Sequence, residues 1–473
     1  MSRFYITTTL PYVNAEPHIG FGWEITEADT IARYRRMMGD EVVFNTGTDE
    51  HGQKIYQKAL DNNEDPQSYV DRYAAAFSDL RDLLNLSYTN FIRTTDDHHV
   101  AAAQEFWRRS LANGDIYKKL YATKYCIGCE LEKTDSELDE DGRCPLHPNR
   151  ELEVREEENY FFRFSKYQDQ LLQLYAENPE FVQPAEKMNE IRSFVERGLQ
   201  DFSVSRLKEK MPWGVPVPDD EDHVMYVWFD ALVNYISTLG WPENEENFQA
   251  FWPGVQLAGK DNLRQQSAMW QAMLFSAGLP ASEKILINGF ISIGGQKMSK
   301  SLGNVIAPTD MVARYGTDAA RYLLINMGCF SGDQDVTWEK LDTTYTAFLS
   351  NGLGNLCSRV AKMSEKSGFA FGEADITTDE SFAQLMDSYD LTGALNWVMD
   401  HVSEMDTYLA EQKPWKLEGD EQKEVLLTAT TYILTIAHHL RPFMPEVAEK
   451  MWNHFQAEQI TALEPLFPRL PQE

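Results

Sequence analysis

The stretch FYITTTLPYVNAEPHIGFGWEITEADTIARYRRMMGDEVVFNTG at residues 4–47 contains a strand, a helix and a second strand in succession. FYITTTL is rich in β-branched and aromatic residues, which favour a strand, and a proline-containing turn follows it. A helical pattern then extends from about His18 to Met38, and EVVFNTG is the second strand. This order predicts an α/β fold, a Rossmann-type doubly wound parallel sheet with a ligand crevice at the carboxyl ends of its strands.

Three further segments follow this start. From about Ile116 the chain becomes charge-rich and carries cysteines, which predicts an insertion. Parallel-sheet patterns return near His223 with VMYVWFDALV, then with QLAG and KILINGF, and amphipathic helices follow from about Thr344. The predicted domains are the first half of the Rossmann domain at 1–115, an inserted domain at 116–222, the second half at 223–343 and an all-α bundle at 344–473.

The overall charge opposes general attraction to nucleic acid. The 473 residues carry 43 basic and 74 acidic side chains, a net charge of −31, which repels a phosphate backbone at long range. RNA binding would therefore depend on local basic groups. The candidates are Lys118, Lys119 and Lys124, and Arg359, Lys362 and Lys366.

The compartment can also be predicted from the sequence. No run approaches the ~18 apolar residues of a membrane span, and MSRFYITTTL lacks the apolar core of a secretory signal. Five cysteines are too few for a disulfide framework in a chain of this length. We therefore expect a cytoplasmic protein that makes no membrane contact.

Four residues have the spacing of a metal site. Cys126-x2-Cys129 is followed, after fourteen residues, by Cys144-x2-His147. Three thiolates and one imidazole are the ligands of a closed tetrahedral zinc site, whereas a catalytic zinc needs an open position and a redox CxxC needs no second pair. We expect one structural Zn²⁺ in the inserted domain.

Two distant segments have features of phosphate binding. PHIG at 17–20 lies where a strand gives way to a helix, with proline expected at the first helical position and backbone N–H groups able to face an anion. GGQKMSKS at 294–301 holds two lysines three residues apart on a glycine-anchored loop, which can close over a triphosphate. Each pattern by itself also fits an ordinary capped helix or a basic turn.

Together with further blocks, these segments resemble the class I aminoacyl-tRNA synthetases, in particular the bacterial methionyl branch. The blocks are TTTLPYVNAEPHIG at 7–20, TGTDEHGQ at 46–53, YVWFDALVNY at 226–235, GKD at 259–261, KMSKSLGN at 297–304 and KPWKL at 413–417. The resemblance implies activation of L-methionine with ATP and Mg²⁺, followed by transfer to tRNA(Met). Because the chain stops after LFPRLP without the dimerisation domain that some relatives carry, we expect a monomer.

The resemblance also implies the site residues. The catalytic residues are expected to be His18, Lys297 and Lys300. The ATP contacts are expected at Pro17, His18, Gly20, Glu24, Gly259, Asp261, Lys297, Met298, Ser299 and Lys300. The methionine contacts are expected at Leu10, Tyr12, Asp49, Trp228, Ala231, Tyr235, Gln266 and Trp270. Asp49 would pair with the ammonium group, whereas Trp228 and Tyr235 would, on periodicity alone, be ordinary core residues.

A third group of residues lies near the C-terminal end. Asn355 and Arg359 are four residues apart, which places both on one face of a helix, and Trp415 lies in KPWKL. Without the family resemblance, an Asn and an Arg at this spacing would be read as part of a solvent-exposed helix surface. The resemblance implies that these three residues read the CAU anticodon by hydrogen bonding and stacking.

The sequence departs from the family pattern at two places. Phe21 replaces the second signature histidine, so that either Asn262 or Arg264 supplies the phosphate contact or adenylation is slower. Gln265-Gln266 replaces the usual Phe-His pair, although Gln266 can still hydrogen-bond within the pocket. Two alternatives therefore stay open: a class I synthetase for another amino acid, and a non-catalytic tRNA-binding paralogue.

Overall fold

A six-stranded parallel sheet forms the centre of the molecule. The computed structural model describes residues 2–126, 131–133, 138–139, 141–145, 151–226, 228–297, 305–372 and 374–471, with the backbone alone for 121–126, 131–133, 153–156 and 297. In spatial order the strands are Asn90–Arg93, Glu41–Thr48, Arg3–Thr7, Val255–Gly259, Lys284–Asn288 and Val182–Gln183. The predicted βαβ unit is confirmed, because Arg3–Thr7 and Glu41–Thr48 are parallel and the helix Ile19–Met37 joins them.

The two faces of this sheet support two apolar cores. Successive side chains of a strand point to opposite faces, and accordingly Phe4 and Ile6 enter one core while Tyr5 enters the other. The first core contains the helix Ile19–Met37 and continues without interruption into the C-terminal helices. The second core contains apolar residues from the inserted segment. The sheet is therefore covered on both faces, as a parallel sheet requires.

Helices account for most of the remaining chain. Those of the first half are Ile19–Met37, Gln53–Asp61, Pro66–Ser78, Leu80–Leu83 and Asp97–Ala112. Those that follow, up to residue 326, are Gln168–Glu177, Ala185–Glu196, Trp228–Ala231, Asn234–Ser237, Glu245–Phe251, Trp270–Ser276, Pro308–Tyr315 and Thr317–Asn326. A separate three-stranded sheet consists of Gln296–Lys297, Ile291–Ile293 and Gln334–Val336, in spatial order.

The inserted segment forms its own antiparallel sheet and also extends the central one. The antiparallel strands are Leu131–Lys133, Ile116–Cys126, Glu153–Phe162 and Phe202–Ser203, in spatial order. The same segment supplies Val182–Gln183, which pairs in parallel with Lys284–Asn288 at the edge of the central sheet. The segment is thus joined to the nucleotide fold by backbone hydrogen bonds as well as by packing.

The prediction of a parallel strand in VMYVWFDALV is wrong. Only His223–Met225 is extended, and it pairs antiparallel with Ser205–Leu207. The residues after it form the short helix Trp228–Ala231, because the buried side chains Phe229, Leu232 and Val233 recur at helical rather than alternating spacing. The parallel sheet resumes where QLAG and KILINGF predicted it, at Val255–Gly259 and Lys284–Asn288.

The predicted C-terminal helical bundle is confirmed. Its helices are Trp338–Thr344, Gly354–Ser367, Glu380–Asp387, Leu391–Gln412, Gly419–Leu440 and Pro445–Phe455, with a π-helical stretch at Tyr345–Leu353. Across the part of the chain that the structure describes, no helix combines the length and the apolar character needed to cross a bilayer.

Candidate active site

A cleft of about 960 Å³ opens at the carboxyl ends of the central strands. The strand Arg3–Thr7 lies between Glu41–Thr48 and Val255–Gly259, so this is the point where the strand order reverses and where open α/β sheets bind ligands. Most of the predicted ATP and methionine residues line the cleft. They are Leu10, Tyr12, Pro17, His18, Gly20, Glu24, Asp49, Trp228, Ala231, Tyr235, Gly259, Asp261 and Gln266.

The start of the helix Ile19–Met37 differs in detail from the prediction. His18, not Pro17, is the residue adjoining the helix, and its Nδ1 accepts a 3.1 Å hydrogen bond from Gly20 N. Ile19 N donates to Ile306 O at 2.9 Å, so these two backbone N–H groups already have partners. The expectation that they face an anion was wrong, because the histidine side chain caps its own helix. Since Nδ1 accepts, a neutral imidazole carries its proton on Nε2, which is therefore a hydrogen-bond donor.

The hydrogen bond from Ile19 N to Ile306 O joins the start of the PHIG helix to the segment that follows the lysine loop. Ile306 follows the lysine loop closely, and Ile291 and Val305, which precede and follow that loop, both line the cleft. Gly294 and Gly295 have φ of 60° and 76°, a left-handed turn that favours glycine, and Gly295 N donates to Asp335 Oδ1 at 2.7 Å. Lys297 is described in its backbone only, and Met298, Ser299 and Lys300 lie outside the described residues.

Glu24 is a buried carboxylate at the floor of the cleft. Its Oε1 accepts hydrogen bonds from Thr9 N at 2.7 Å and from Thr9 Oγ1 at 2.6 Å. Burial raises the pKa of Glu24 to about 7, although the Thr9 hydrogen bonds oppose this. Gly259 lies nearby, where a Cβ atom would be 2.8 Å from Asp261 Oδ1, so glycine allows the Asp261 carboxylate to lie close to the strand end.

Phe21 occupies the position of the missing histidine as a packing residue. It is buried and its ring meets Phe77 edge to face at 5.2 Å. Of the two proposed substitutes, Asn262 lines the cleft. Arg264 does not line it and instead lies over the Phe194 ring at 4.5 Å. Only Asn262 is therefore in a position to replace the lost donor.

Asp49 is a second buried acid that lines the cleft. The loops after the first two strands are joined there, because Asp49 N donates to Pro11 O at 2.9 Å and Val13 N donates to Asp49 O at 3.1 Å. Burial and then the charge of Asp230 raise the pKa of Asp49 well above its ordinary range. Its Oδ1 has no hydrogen-bond partner among the described residues. A cationic ligand would satisfy this atom and restore the ionised form.

An aromatic wall forms another part of the cleft lining. Trp228, Ala231 and Tyr235 come from the two short helices after His223–Met225 and line the cleft. Gln266 donates from Nε2 to Tyr235 Oη, and its Oε1 is buried without a partner among the described residues. Gln266 lies in a π-helical turn, Gln265–Met269, a distortion that often occurs at functional sites.

Trp270 does not line the cleft as predicted but lies behind the lining residue Tyr235. It is fully buried and does not line the cleft, and its ring contacts Tyr235 at 5.8 Å and Phe106 at 5.7 Å. It therefore supports the Tyr235 wall from behind. The extra residue in the π-helical turn shifts the positions after it around the helix axis, which sequence spacing does not predict.

Several cleft residues were missed by the sequence reasoning. Thr9 binds Glu24, and Asn288 lines the cleft while donating from Nδ2 to Glu27. Thr9 comes two residues after the strand Arg3–Thr7 and Asn288 is the last residue of the strand Lys284–Asn288; this position at the carboxyl end of a parallel strand is the signal that could have identified them.

The metal and anticodon candidates lie elsewhere. Cys144 is fully buried, whereas Cys129 and His147 lie outside the described residues and Cys126 is described in its backbone only. No cluster of potential metal ligands occurs among the residues whose positions are described. In the bundle, Asn355 is exposed on the helix Gly354–Ser367.

The other two anticodon candidates are also accessible. Arg359, on the same helix as Asn355, pairs through NH1 with Asp406 Oδ1 at 2.7 Å. Trp415 is 51% exposed, in a short 3₁₀ turn. An exposed aromatic plane and a partly exposed guanidinium are both suited to unpaired bases.

Comparisons with known proteins agree on one family. The family "tRNA synthetases class I (M)" matches residues 4–151 and 140–361, and the family "Anticodon-binding domain of tRNA ligase" matches 377–473. The methionine–tRNA ligase of Thermotoga maritima is 41% identical over 97% of this chain and 76% of its own, and that of Streptomyces coelicolor is 38% identical over 96% and 90%.

Solved structures give the same result. The Mycobacterium tuberculosis methionyl-tRNA synthetase in complex with methionyl-adenylate superposes with a TM-score of 0.88 at 33% identity, covering 99% of this chain and 100% of that one. Its apo form superposes with a TM-score of 0.82 at 30% identity, covering 100% and 99%. This chain belongs to the methionine–tRNA ligases, within the class I tRNA synthetases.

Proposed function

We propose that the cleft binds methionine and ATP side by side and joins them as methionyl-adenylate, which is then transferred to tRNA(Met). The observation that carries this proposal is the hydrogen bond from Ile19 N to Ile306 O, because it joins the PHIG helix to the segment that follows the lysine loop. The start of this helix and the residues that flank the lysine loop, Ile291 and Val305, border one cleft, which supports the proposal. Two cationic or donor elements on opposite sides of a triphosphate can stabilise the charge that develops during adenylation.

We propose that methionine lies between Asp49 and the aromatic wall. The unsatisfied Asp49 Oδ1 would receive the α-ammonium group, which supplies the missing partner. Trp228, Tyr235 and Leu10 would surround the thioether, because aromatic and aliphatic surfaces interact favourably with a polarizable sulfur. Gln266 Oε1, also without a described partner, would complete the polar contacts. Trp270 would act by holding Tyr235.

ATP is proposed to occupy the other half of the cleft. His18 would donate from Nε2 to the phosphates, while Glu24, Gly259 and Asp261 would border the nucleoside. Lys297 and Lys300 would close over the phosphates from the loop. The methionine carboxylate then attacks the α-phosphorus and the bond to the β,γ-diphosphate breaks, so that diphosphate leaves. Mg²⁺ would arrive bound to ATP and neutralise phosphate charge.

We further propose a structural zinc in the inserted segment. Cys126 is the last residue of its strand and pairs through its backbone with Leu131 of the neighbouring antiparallel strand, which supports a metal site at this end of the strand pair. Cys144 is fully buried, as a metal-bound thiolate would be. Cys126, Cys129, Cys144 and His147 would hold the ion, which would order the segment and take no part in the chemistry.

The remaining proposals concern tRNA(Met) and the assembly. Asn355, Arg359 and Trp415 would read the anticodon, since all three are accessible on the bundle. The segments at 1–115 and 223–343 would act as the catalytic domain, 116–222 as the inserted domain and 344–473 as the anticodon domain. We also propose a cytoplasmic monomer, which size-exclusion chromatography with light scattering would test.

An ATP–pyrophosphate exchange assay across the twenty amino acids tests the proposed function. We expect exchange with methionine and none of comparable rate with the others.

Asp49→Asn should lower kcat/KM for methionine on the order of 100-fold, because it removes the carboxylate charge at constant size. Lys300→Ala should slow exchange far more than it weakens ATP binding, whereas Lys423→Ala, in an exposed part of the bundle, should change neither. An unchanged exchange rate for Lys300→Ala would refute the role of the loop.

A further inference from the structure

Four buried side chains form a hydrogen-bonded chain beside the proposed methionine pocket. Asp230 Oδ2 lies 2.7 Å from His51 Nδ1, and Asp230 Oδ1 lies 2.9 Å from His99 Nε2. His99 Nδ1 is 3.0 Å from Ser237 Oγ. Asp230 and His99 have no solvent exposure, and His51 is buried. Because an ionised carboxylate can only accept, both imidazoles donate to Asp230.

These hydrogen bonds join the two walls of the proposed methionine pocket, the segment of Asp49 and the aromatic wall that begins at Trp228. His51 is two residues after Asp49, in the segment that follows the strand Glu41–Thr48. Asp230 lies in the short helix Trp228–Ala231, between two residues of the aromatic wall. His99 comes from a third element, the helix Asp97–Ala112, and reaches the next short helix through Ser237. One carboxylate thus links the Asp49 loop, the aromatic wall and the helix behind them.

The charges around Asp230 explain why it needs both histidines. Glu50 is also buried, but Arg93 neutralises it through contacts of 2.7 and 2.9 Å. Burial acts to raise the pKa of Asp230, yet His51 and His99 outweigh burial and hold it at about 2. A buried carboxylate that loses one of two hydrogen-bond donors is left partly unsatisfied, which is costly enough to move the element that carries it.

We infer that His51 and His99, acting through Asp230, are positioning residues that fix the separation between Asp49 and the Trp228 wall; this inference rests on the proposed role of those two walls in methionine binding. The histidines do not line the cleft and do not touch the reacting atoms. Their effect falls on the amino acid and not on the nucleotide, because Asp230 joins only elements on the amino acid side.

The test compares two substitutions at His99 in the full-length enzyme. Glutamine can place its amide N–H where Nε2–H lies, whereas leucine has similar bulk and no donor. In methionine-dependent exchange, His99→Leu should raise the KM for methionine by about tenfold and leave the KM for ATP within about twofold. His99→Gln should restore the KM for methionine to within about threefold of the unmodified enzyme.

A control variant and an alternative pair of variants distinguish a positioning role from loss of folding. His438 is a buried histidine in the bundle, bonded to Thr378, and His438→Leu should leave both KM values unchanged. If His99→Leu does not fold, His51→Asn and His51→Ala provide the same comparison, because asparagine retains a donor at the Nδ1 position.

The inference is overturned if the donor-free variant has an unchanged KM for methionine, if both KM values rise together, or if the glutamine variant is no better than leucine. Asp49→Asn distinguishes this failure from failure of the proposed function. If Asp49→Asn weakens methionine binding and His99→Leu does not, the pocket assignment stands and the positioning role falls. If Asp49→Asn has no effect, the pocket assignment itself falls.

Discussion

Phe21, at the position where the family resemblance implies a histidine, makes an aromatic packing contact. The ring packs against Phe77, and an edge-to-face pair contributes about 0.5–1.5 kcal/mol beyond burial. Either another residue supplies the phosphate contact that the resemblance implies, or adenylation is slower. The structure separates the two candidates that the sequence left open, because Asn262 borders the cleft and Arg264 stacks on Phe194.

A matched pair of substitutions tests this separation. Asn262→Ala should slow methionine-dependent exchange by at least about tenfold, because loss of one preorganised donor to developing charge typically costs that much or more. Arg264→Ala should leave the rate within about twofold, since its guanidinium lies on an aromatic ring outside the cleft. Equal effects of the two substitutions would contradict the assignment.

The buried carboxyl of Glu24 should make stability depend on pH. Folding raises the pKa of Glu24 from 4.5 to about 7, so the folded state binds this proton more tightly than the unfolded state. Stability contributed by this group is therefore present at low pH and is lost as the pH rises from the unfolded pKa through the folded one. Glu24→Gln removes the titration.

The comparison is made by urea unfolding at pH 5 and pH 8. From pH 5 to pH 8, the free energy of unfolding should fall by about 2 kcal/mol more in the unmodified protein than in Glu24→Gln. The other titrating groups are common to both proteins, so their contributions cancel in this comparison. The prediction fails if the two proteins lose the same free energy of unfolding over this interval.

At the scale of elements, short helices and helix distortions decide the shape of the amino acid pocket. A strand at YVWFDALVNY would have pointed Trp228 and Tyr235 to alternating faces, but two consecutive short helices turn both toward the cleft. The π-helical turn at Gln265–Met269 similarly brings Gln266 to Tyr235 while it leaves Trp270 behind the wall. Local geometry of a few residues thus selects which side chains meet the ligand.

The helix Gly354–Ser367 carries a prediction about RNA recognition. Arg359→Ala should raise the KM for tRNA(Met) in aminoacylation by about tenfold or more and leave methionine-dependent exchange unchanged, because Arg359 does not line the cleft. Lys366→Ala, on the last turn of the same helix, serves as the control for loss of a positive charge. Equal losses in the two variants would indicate a general electrostatic effect and not base recognition.

At the scale of the whole molecule, one buried arginine joins the catalytic fold to the bundle. Arg321 has no solvent exposure and pairs with Asp29 of the helix Ile19–Met37 at 2.8 Å. It also donates to Phe443 O at 2.8 Å, Pro442 O at 3.1 Å and Leu84 O at 3.0 Å. The contact therefore ties together three segments that are distant in sequence.

Removal of this arginine should destabilise the protein strongly. Arg321→Met should cost about 3–5 kcal/mol, because it removes one of the two arginines paired with the buried Asp29 carboxylate, leaving only Arg33, and it leaves three carbonyls without this donor. Arg314→Met removes a pair with Asp342 at the surface and should cost at most about 1 kcal/mol. Thermal and urea unfolding of the two variants would measure the difference, and similar costs would contradict the role of Arg321.

The sequence by itself determined the nucleotide fold and the family, and most of the ligand residues that it predicted border the cleft. These features are local: alternating or helical spacing fixes which face of an element is buried, and residues after parallel strands necessarily meet at one edge of the sheet. The helices of the bundle were predictable for the same reason. The position of Asp49 in the cleft follows from that edge, because Asp49 comes directly after the parallel strand Glu41–Thr48.

Only the tertiary structure decided how buried charges and donors are satisfied. His18 caps its own helix, and the neighbouring Ile19 N donates to Ile306 O. Asp230 accepts hydrogen bonds from two histidines in distant segments. Asp29 pairs with Arg321, which lies nearly three hundred residues later in the sequence. No local pattern encodes these partners, because a buried polar group accepts whichever complementary group the returning chain brings within about 3 Å. The pairing is therefore a property of the folded chain as a whole.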